Sequence, residues 1–292
     1  MTKEHSLIGR DLSLGYGNTV IVNNLDLDIP SGAITSIIGP NGCGKSTLLR
    51  GFARLLKPFT GEVHLDGKDI RSIPTKQVAQ VVGLLPQQPI APEGIAVADL
   101  VGRGRQPHQK LLARWTAHDY EIVAQALQDT GISELADRSV DELSGGQRQR
   151  VWIAMALAQE TDILLLDEPT TFLDLTHQIE ILDLLTDLNR ARGTTIVMVM
   201  HDMNLAARYS HHIIALRGGT LVAQGTPEQV ITEELVHDVF ALPAQVTQDP
   251  VSQTPLVSPR GRHHVRGSQL GDPVQPTGDS IPLTSEGSSN AR

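Results

Sequence analysis

The stretch GPNGCGKST (Gly39–Thr47) has the spacing G-x-x-x-x-G-K-[ST]. That spacing suits a chain of phosphates. Glycine at Gly39, Gly42 and Gly44 keeps side chains away, so backbone N–H groups can converge on phosphate oxygens. Lys45 supplies a compact cation, and the Ser46 hydroxyl stands where Mg²⁺ would be held. The remaining loop residues, Pro40, Asn41, Cys43 and Thr47, are expected to wrap the same phosphates. Cys43 has two readings: a small residue turned away from phosphate, or a helix-terminal thiol with lowered pKa that senses oxidants.

Four further positions carry groups suited to moving a phosphoryl group. ILLLDEP (Ile163–Pro169) ends an apolar strand in two acids. Asp167 is expected to hold Mg²⁺ through its water shell, and Glu168 to take a proton from attacking water. TTIVMVMH (Thr194–His201) ends a second buried strand in His201, where a neutral imidazole reaches a terminal phosphate or orients water. Asp202, next in sequence, reads as a helix cap. VGLLPQ ends in Gln87, whose amide oxygen can touch Mg²⁺ or the attacking water. The alternatives are a plain loop glutamine, a structural histidine and a loop-capping acid pair. LSGGQRQR (Leu143–Arg150) then supplies a second small-residue loop at the start of a helix. Its Ser144 hydroxyl and the N–H groups of Gly145 and Gly146, with the helix beginning near Gln147, suit another anion-binding edge, the alternative being a helix-capping turn.

These residues need a scaffold that brings strand ends together. AITSIIG, VVGLLPQ, DILLLDEP and TTIVMVMH read as buried strands alternating with helical periodicity, which predicts an α/β core with a mostly parallel sheet. Leu48, Leu49, Phe52, Leu55 and Leu56 recur at helical spacing up to Lys57-Pro58. A helix from Asp174 to Arg192 should turn Leu175, Ile179, Leu182, Leu185 and Leu188 inward and close at Gly193. LDLDIPSG and the GEVHLDGKDI hairpin predict a small antiparallel sheet ahead of the core. Residues 90–158 read as a helical insert, and Thr226-Pro227-Glu228 opens a final helix. From Gln248 to Arg292, 18 of 45 residues are Ser, Pro or Gly without apolar period, so 248–292 is expected to be a disordered tail. Its RGRHHVRG segment suits either solvent or acidic lipid.

Composition narrows the class. Aromatics make up 3% of 292 residues and the net charge is -9, which argues against a nucleic-acid surface. The single cysteine cannot form an internal disulfide, as suits a reducing compartment. The start carries no apolar leader core, and no apolar run approaches the roughly 20 residues of a bilayer span. A cytoplasmic chain is the expectation.

The ordered set GPNGCGKST, LLPQ, LSGGQRQR, ILLLDEP and MVMHD resembles the ATP-binding subunit of ABC (ATP-binding cassette) transporters over roughly residues 7–245. The resemblance implies a P-loop NTPase fold with a RecA-like core, an antiparallel β subdomain and a helical signature subdomain, within a domain at 5–247. It implies ATP and Mg²⁺ as ligands and Tyr16 stacking on adenine, although Tyr16 reads equally as a core or turn residue. It makes TTFLDL a loop in which Asp174 faces a partner subunit, with Phe172 standing where the family has a small residue. It also implies that LSGGQ completes the ATP site of a second copy packed head to tail. VGRGRQPHQ, Arg114-Trp115 and HDMNLAARYSHHIIAL look like the branch serving ferric siderophores, haem and cobalamin, and the Gly104–Gln109 pattern is closest to catecholate siderophore subunits. An integral membrane permease and, indirectly, a solute-binding protein would be the partners, at the cytoplasmic face of a bacterial membrane. The Gly/Pro-rich, partly basic stretch from Gln88 to Gln109 suits permease docking or a solvated loop. An exporter subunit, a DNA-repair ATPase and a translation factor are the competing classes; the last two lack their coiled-coil insertion, basic surface or second cassette here.

Overall fold

The described residues of the chain, a computed structural model, are 4–109, 114–171 and 173–261. Phe172, the 110–113 segment and residues 262–292, with most of RGRHHVRG, lie outside them.

The buried apolar runs pair with one another. β3 (Ile34–Ile38), β6 (Val82–Leu85), β7 (Ile163–Asp167), β8 (Thr195–Val199), β9 (His212–Arg217) and β10 (Thr220–Gly225) form one sheet in the order β10-β9-β3-β8-β7-β6. All its pairs are parallel except β9–β10. Register is what matters for the site. Val199 sits opposite both Ile37 and Asp167, and Leu85 sits opposite Leu166. Four neighbouring strands therefore end level, at the ~4.8 Å spacing of a ladder.

β1 (Leu7–Tyr16), β2 (Thr19–Ile29), β4 (Thr60–Leu65) and β5 (Lys68–Asp69) make an antiparallel sheet in the order β2-β1-β4-β5. Helix α1 (Lys45–Phe52) lies between the two sheets. Its Leu48, Leu49 and Phe52 share a core with Leu12, Leu14 and Leu25 on one side and Ile37, Leu165 and Val197 on the other. The other face of the parallel sheet buries Leu164, Leu166 and Met198 together with the helices. Those are α3 (Val97–Gly102), α4 (Ala117–Asp129), α5 (Gly145–Ala158), α6 (Leu175–Arg192), α7 (Met203–Tyr209), α8 (Pro227–Val230) and α9 (Glu233–Phe240), with α2 (Thr75–Val81) leading into β6.

Several expectations need correction. The helix after the glycine loop stops at Phe52; Arg54 takes a left-handed backbone and Leu55 is 69% exposed rather than packed. Leu175 is 68% exposed, because Asp174 caps α6 by accepting from the His177 N–H and leaves the first helical position on the solvent side. The final helix is two: the chain leaves helical geometry at Ile231, and Thr232 starts α9 as a new cap. The supposed tail does not begin at 248. β11 (Ala244–Gln248) pairs with β12 (Pro255–Pro259), and Val257 is buried in the main core. The Asn204 side chain donates to Val257 O and accepts from Val257 N, fastening β12 to α7. The proline and serine content there serves a turn: Asp249 accepts the N–H groups of Val251 and Ser252. Finally, the stretch to Gln109 is not one basic surface, since Arg105 is 3% exposed.

Candidate functional site

The loop after β3 is shaped by steric need. Gly39 has φ 148°, and a Cβ there would fall 2.2 Å from the Leu216 carbonyl oxygen. Only glycine lets this turn pass that close to β9. Lys45 is folded into the loop, with Nζ donating to Gly39 O at 2.8 Å and Pro40 O at 3.0 Å. Cys43 points the other way, into the core beside α1. Burial raises its thiol pKa above the ordinary value, outweighing the opposing pull of Lys45. The oxidant-sensing reading, which required a lowered pKa, is thereby corrected.

A cleft of about 480 Å³ opens over this loop, lined by Tyr16, Ile21, Asn41, Gly42, Gly44, Lys45, Ser46, Thr47, Gln87, Glu168 and His201. The level strand ends account for the set: Gln87 follows β6, Glu168 follows β7 and His201 follows β8. Glu168 sits at φ 57°, a left-handed backbone that costs an ordinary residue about 1–3 kcal/mol. Its carboxylate is held at both oxygens. His201 Nε2 lies 2.6 Å from Oε1, and Thr171 Oγ1 donates to Oε2 at 3.2 Å. Burial pushes the Glu168 pKa up, but hydrogen bonds from His201, Gln87 and Thr171 outweigh it, and the net shift is downward. The carboxylate is therefore ionised at neutral pH and able to take a proton.

Asp167 lies beneath this layer, 2% exposed, accepting from Ser46 Oγ at 2.8 Å. Burial raises its pKa, with Ser46 acting in the other direction. A buried carboxylate beside a hydroxyl and an amide is a fitting donor set for Mg²⁺. That ion takes few protein ligands and completes its shell with water and phosphate. Ser46, Gln87 and, through water, Asp167 would hold it. Among the described residues there is no larger cluster of His, Cys, Asp or Glu able to bind a metal without phosphate.

Tyr16 lies at the cleft edge with its hydroxyl accepting from Arg50 Nη1 at 2.9 Å. Arg50, Thr171 and Ile21 did not stand out in the sequence. Of these, Thr171 carried a readable signal, a hydroxyl three residues beyond the expected base.

The cleft does not include Ser144, Gly145, Gly146, Gln147 or Asp174. Ser144 caps α5: its Oγ accepts from Gln147 N at 3.3 Å, while Gln147 Oε1 accepts from Ser144 N at 3.1 Å. Gly145 is exposed, has an ordinary helical backbone and would meet nothing within 4 Å if it carried a Cβ. Asp174 is occupied with His177, whose Nδ1 stands 2.7 Å from Oδ1. Pro40, Gly39 and Cys43 form the back of the loop rather than its lining. A larger hollow of about 750 Å³, lined by Glu160, Thr161, Asp162 and Thr194 among others, opens at the amino-terminal ends of β7 and β8, away from any glycine loop.

A family model for ABC transporters matches residues 22–171, slightly more than half of the chain. The chain belongs to the ABC transporter family of ATP-binding subunits. It is accordingly an ATPase with the P-loop fold of that family. The "Probable siderophore transport system ATP-binding protein YusV" of Bacillus subtilis is 59% identical over 251 residues, 86% of this chain and 91% of the relative. The ferric enterobactin transport ATP-binding protein FepC of Escherichia coli is 55% identical over 256 residues, 88% of this chain and 94% of the relative. Among solved structures, a bacterial ABC transporter cassette in dimeric form superposes with a TM-score of 0.68 at 30% identity, covering 75% of this chain and 98% of that one. In this ABC subunit no described helix is long and apolar enough to cross a membrane.

Proposed function

We propose that the chain is the ATP-hydrolysing motor of an importer that moves a ferric siderophore through a separate membrane permease. One observation carries the hydrolytic part: Glu168, held ionised by His201, Gln87 and Thr171, faces a glycine loop with a buried lysine. In this reading Lys45 and the loop N–H groups bind the β- and γ-phosphates. Tyr16 lies against the adenine. Water beside Glu168 in the cleft attacks the γ-phosphorus, Glu168 accepts its proton, and ADP leaves with the broken bond's electrons. Mg²⁺, when bound, neutralises charge on the phosphate oxygens. His201 holds the base in direction through the contact it already makes with Glu168.

The second edge belongs to a partner copy. Glycine at an exposed helical position costs roughly 0.5–1 kcal/mol relative to alanine, and nothing within the chain requires it at Gly145. A partner copy approaching this edge closely would give the glycine a reason. Two copies packed head to tail would set Ser144, Gly145, Gly146 and Gln147 of one against the phosphates at Lys45 of the other, with Asp174 across the junction. The dimeric cassette among the similar structures supports this arrangement.

The cargo rests on the relatives, which serve siderophore and ferric enterobactin transport. A permease contact is supported by Ile90, 92% exposed between Pro89 and Pro92, in the loop that runs from Gln87 to Gly94. Such a complex stands at the cytoplasmic face of the membrane, with a solute-binding protein on the far side. The test is co-purification followed by reconstitution. The chain should bring down an integral membrane permease, and loaded siderophore-binding protein should raise the ATPase rate of the assembly. Stimulation by an unrelated solute instead would remove the assigned cargo.

A further inference from the structure

The stretch from Gly104 to His108 takes no part in the cleft, yet it is built with care. Arg105 is buried, and its guanidinium reaches three elements. Nε donates to Asp119 Oδ1 at 3.0 Å in α4, and Nη1 donates at 2.8 Å to Ala158 O, the last residue of α5. The same nitrogen pairs with Glu160 Oε2 at 2.8 Å, in the link from α5 to β7. Glu160 also faces Arg192 of α6 at 3.7 Å, so two cations meet two carboxylates in this joint. His108 Nε2 stands 2.7 Å from Gln159 O. Gly104 allows the approach, since a Cβ there would lie 2.3 Å from Met155 O in the last turn of α5. Gln159 and Gln80 then tie the same joint to α2 and to Pro107.

The contacts at Met155, Ala158 and Gln159 grip one end of α5, and the others brace the groups that make them. The other end carries Ser144 and Gly145. A helix of 14 residues is about 20 Å long. Tilting it by ~10° about its foot would move Ser144 by ~3 Å, beyond the reach of a hydrogen bond. Arginine suits the foot because its planar fork fixes direction, where a lysine gives only a point charge.

We propose that Arg105 is a positioning residue for the second phosphate-reading edge: by clamping the foot of α5 it sets where Ser144 and Gly145 meet the nucleotide of the partner copy. The inference rests on the head-to-tail reading above. It separates two quantities that a general loss of stability would lower together. Binding of nucleotide to the chain's own Lys45 loop does not involve Arg105; ATP-driven pairing of two copies does.

The test uses the full chain carrying Glu168→Gln, which slows turnover, with and without Arg105→Gln. Affinity for a fluorescent ATP analogue is read on dilute protein, and dimer formation with MgATP is read by sedimentation. Arg105→Gln should leave the nucleotide affinity within about twofold, as for distant independent sites. It should weaken ATP-driven dimerisation roughly tenfold or more, the effect of one misplaced hydrogen-bonded contact. Arg105→Lys should recover part of that loss. If Arg105→Gln melts below the assay temperature, Glu160→Gln loosens the same joint and should show the same split. Equal dimerisation in parent and variant, or parallel loss of both quantities, overturns the inference while leaving the paired-copy reading intact. A parent that stays monomeric with MgATP overturns that reading and the inference with it.

Discussion

Glu168 shows how a residue is tuned for a proton by its neighbours. Burial alone would raise its pKa, but His201, Gln87 and Thr171 bring donors to it and lower the net value. The sign matters. A lowered pKa keeps the base ionised at neutral pH, so the hydrolysis rate should hold steady through neutrality and fall only as the carboxylate protonates in acid. Glu168→Gln keeps the shape and removes the proton acceptor. Hydrolysis should drop roughly 10²-fold or more, while equilibrium binding of ATP survives; a variant that turns over near the native rate would take the base role away from Glu168. The left-handed backbone at Glu168 belongs to the same picture, because strain held at one position is what turns that side chain toward the cleft. Cys43 illustrates the opposite case. A helix terminus and a lysine both favour thiolate, but the side chain lies in the core and burial prevails.

At the scale of elements, the joint around Arg105 has a pH signature of its own. The Thr116 backbone N–H and hydroxyl, with Arg105 behind them, hold Asp119 down at about 2 against the effect of burial. A depressed folded-state pKa gives stability that is full above the ordinary aspartate value near 3.8 and is lost as pH falls toward about 2. Denaturant titrations of the native chain and Asp119→Asn should therefore differ by a constant amount at neutral pH. The gap should close on acidification through that window, and a gap of unchanged size would contradict the assignment. The same joint shows what local patterning could and could not tell. Strands β3, β6, β7 and β8 were legible because a strand buried on both faces is a short apolar run. Their level register was not, yet that register brings Gln87, Glu168 and His201 together. Arg105 looked like a surface charge because its partners, Asp119 and Glu160, are 14 and 55 residues away. The β11–β12 hairpin was hidden because proline- and serine-rich composition describes a turn as well as it describes disorder. Leu55 and Leu175 had the right periodicity, but a left-handed residue ended one helix before its leucine and a cap left the other leucine on the solvent side.

For the whole molecule, the cleft and the Ser144 edge are separate parts of one chain; in the proposed pairing they become halves of different sites. The long order of motifs made the nucleotide chemistry readable from sequence, because each motif needs its residue types at fixed spacing. The separation of the two halves is a property of the fold: α5 directs Ser144 and Gly145 outward, and the residues lining the cleft do not include them. Loop Gln87–Gly94 spans the gap. One end bonds Glu168 through Gln87, and the other end is held by Asp141 Oδ2, which accepts from Gly94 N at 2.7 Å shortly before Ser144. A permease gripping Ile90 would thus touch a segment tied to both halves. The central claim, that each ATP is hydrolysed between two copies, can be tested most directly by mixing two inactive chains, Lys45→Ala and Ser144→Arg. A paired arrangement predicts that the mixture regains ATP hydrolysis, because the mixed dimer contains one site with both Lys45 and Ser144 intact. A mixture as inactive as its two components, under conditions where the copies are shown to associate, would contradict it.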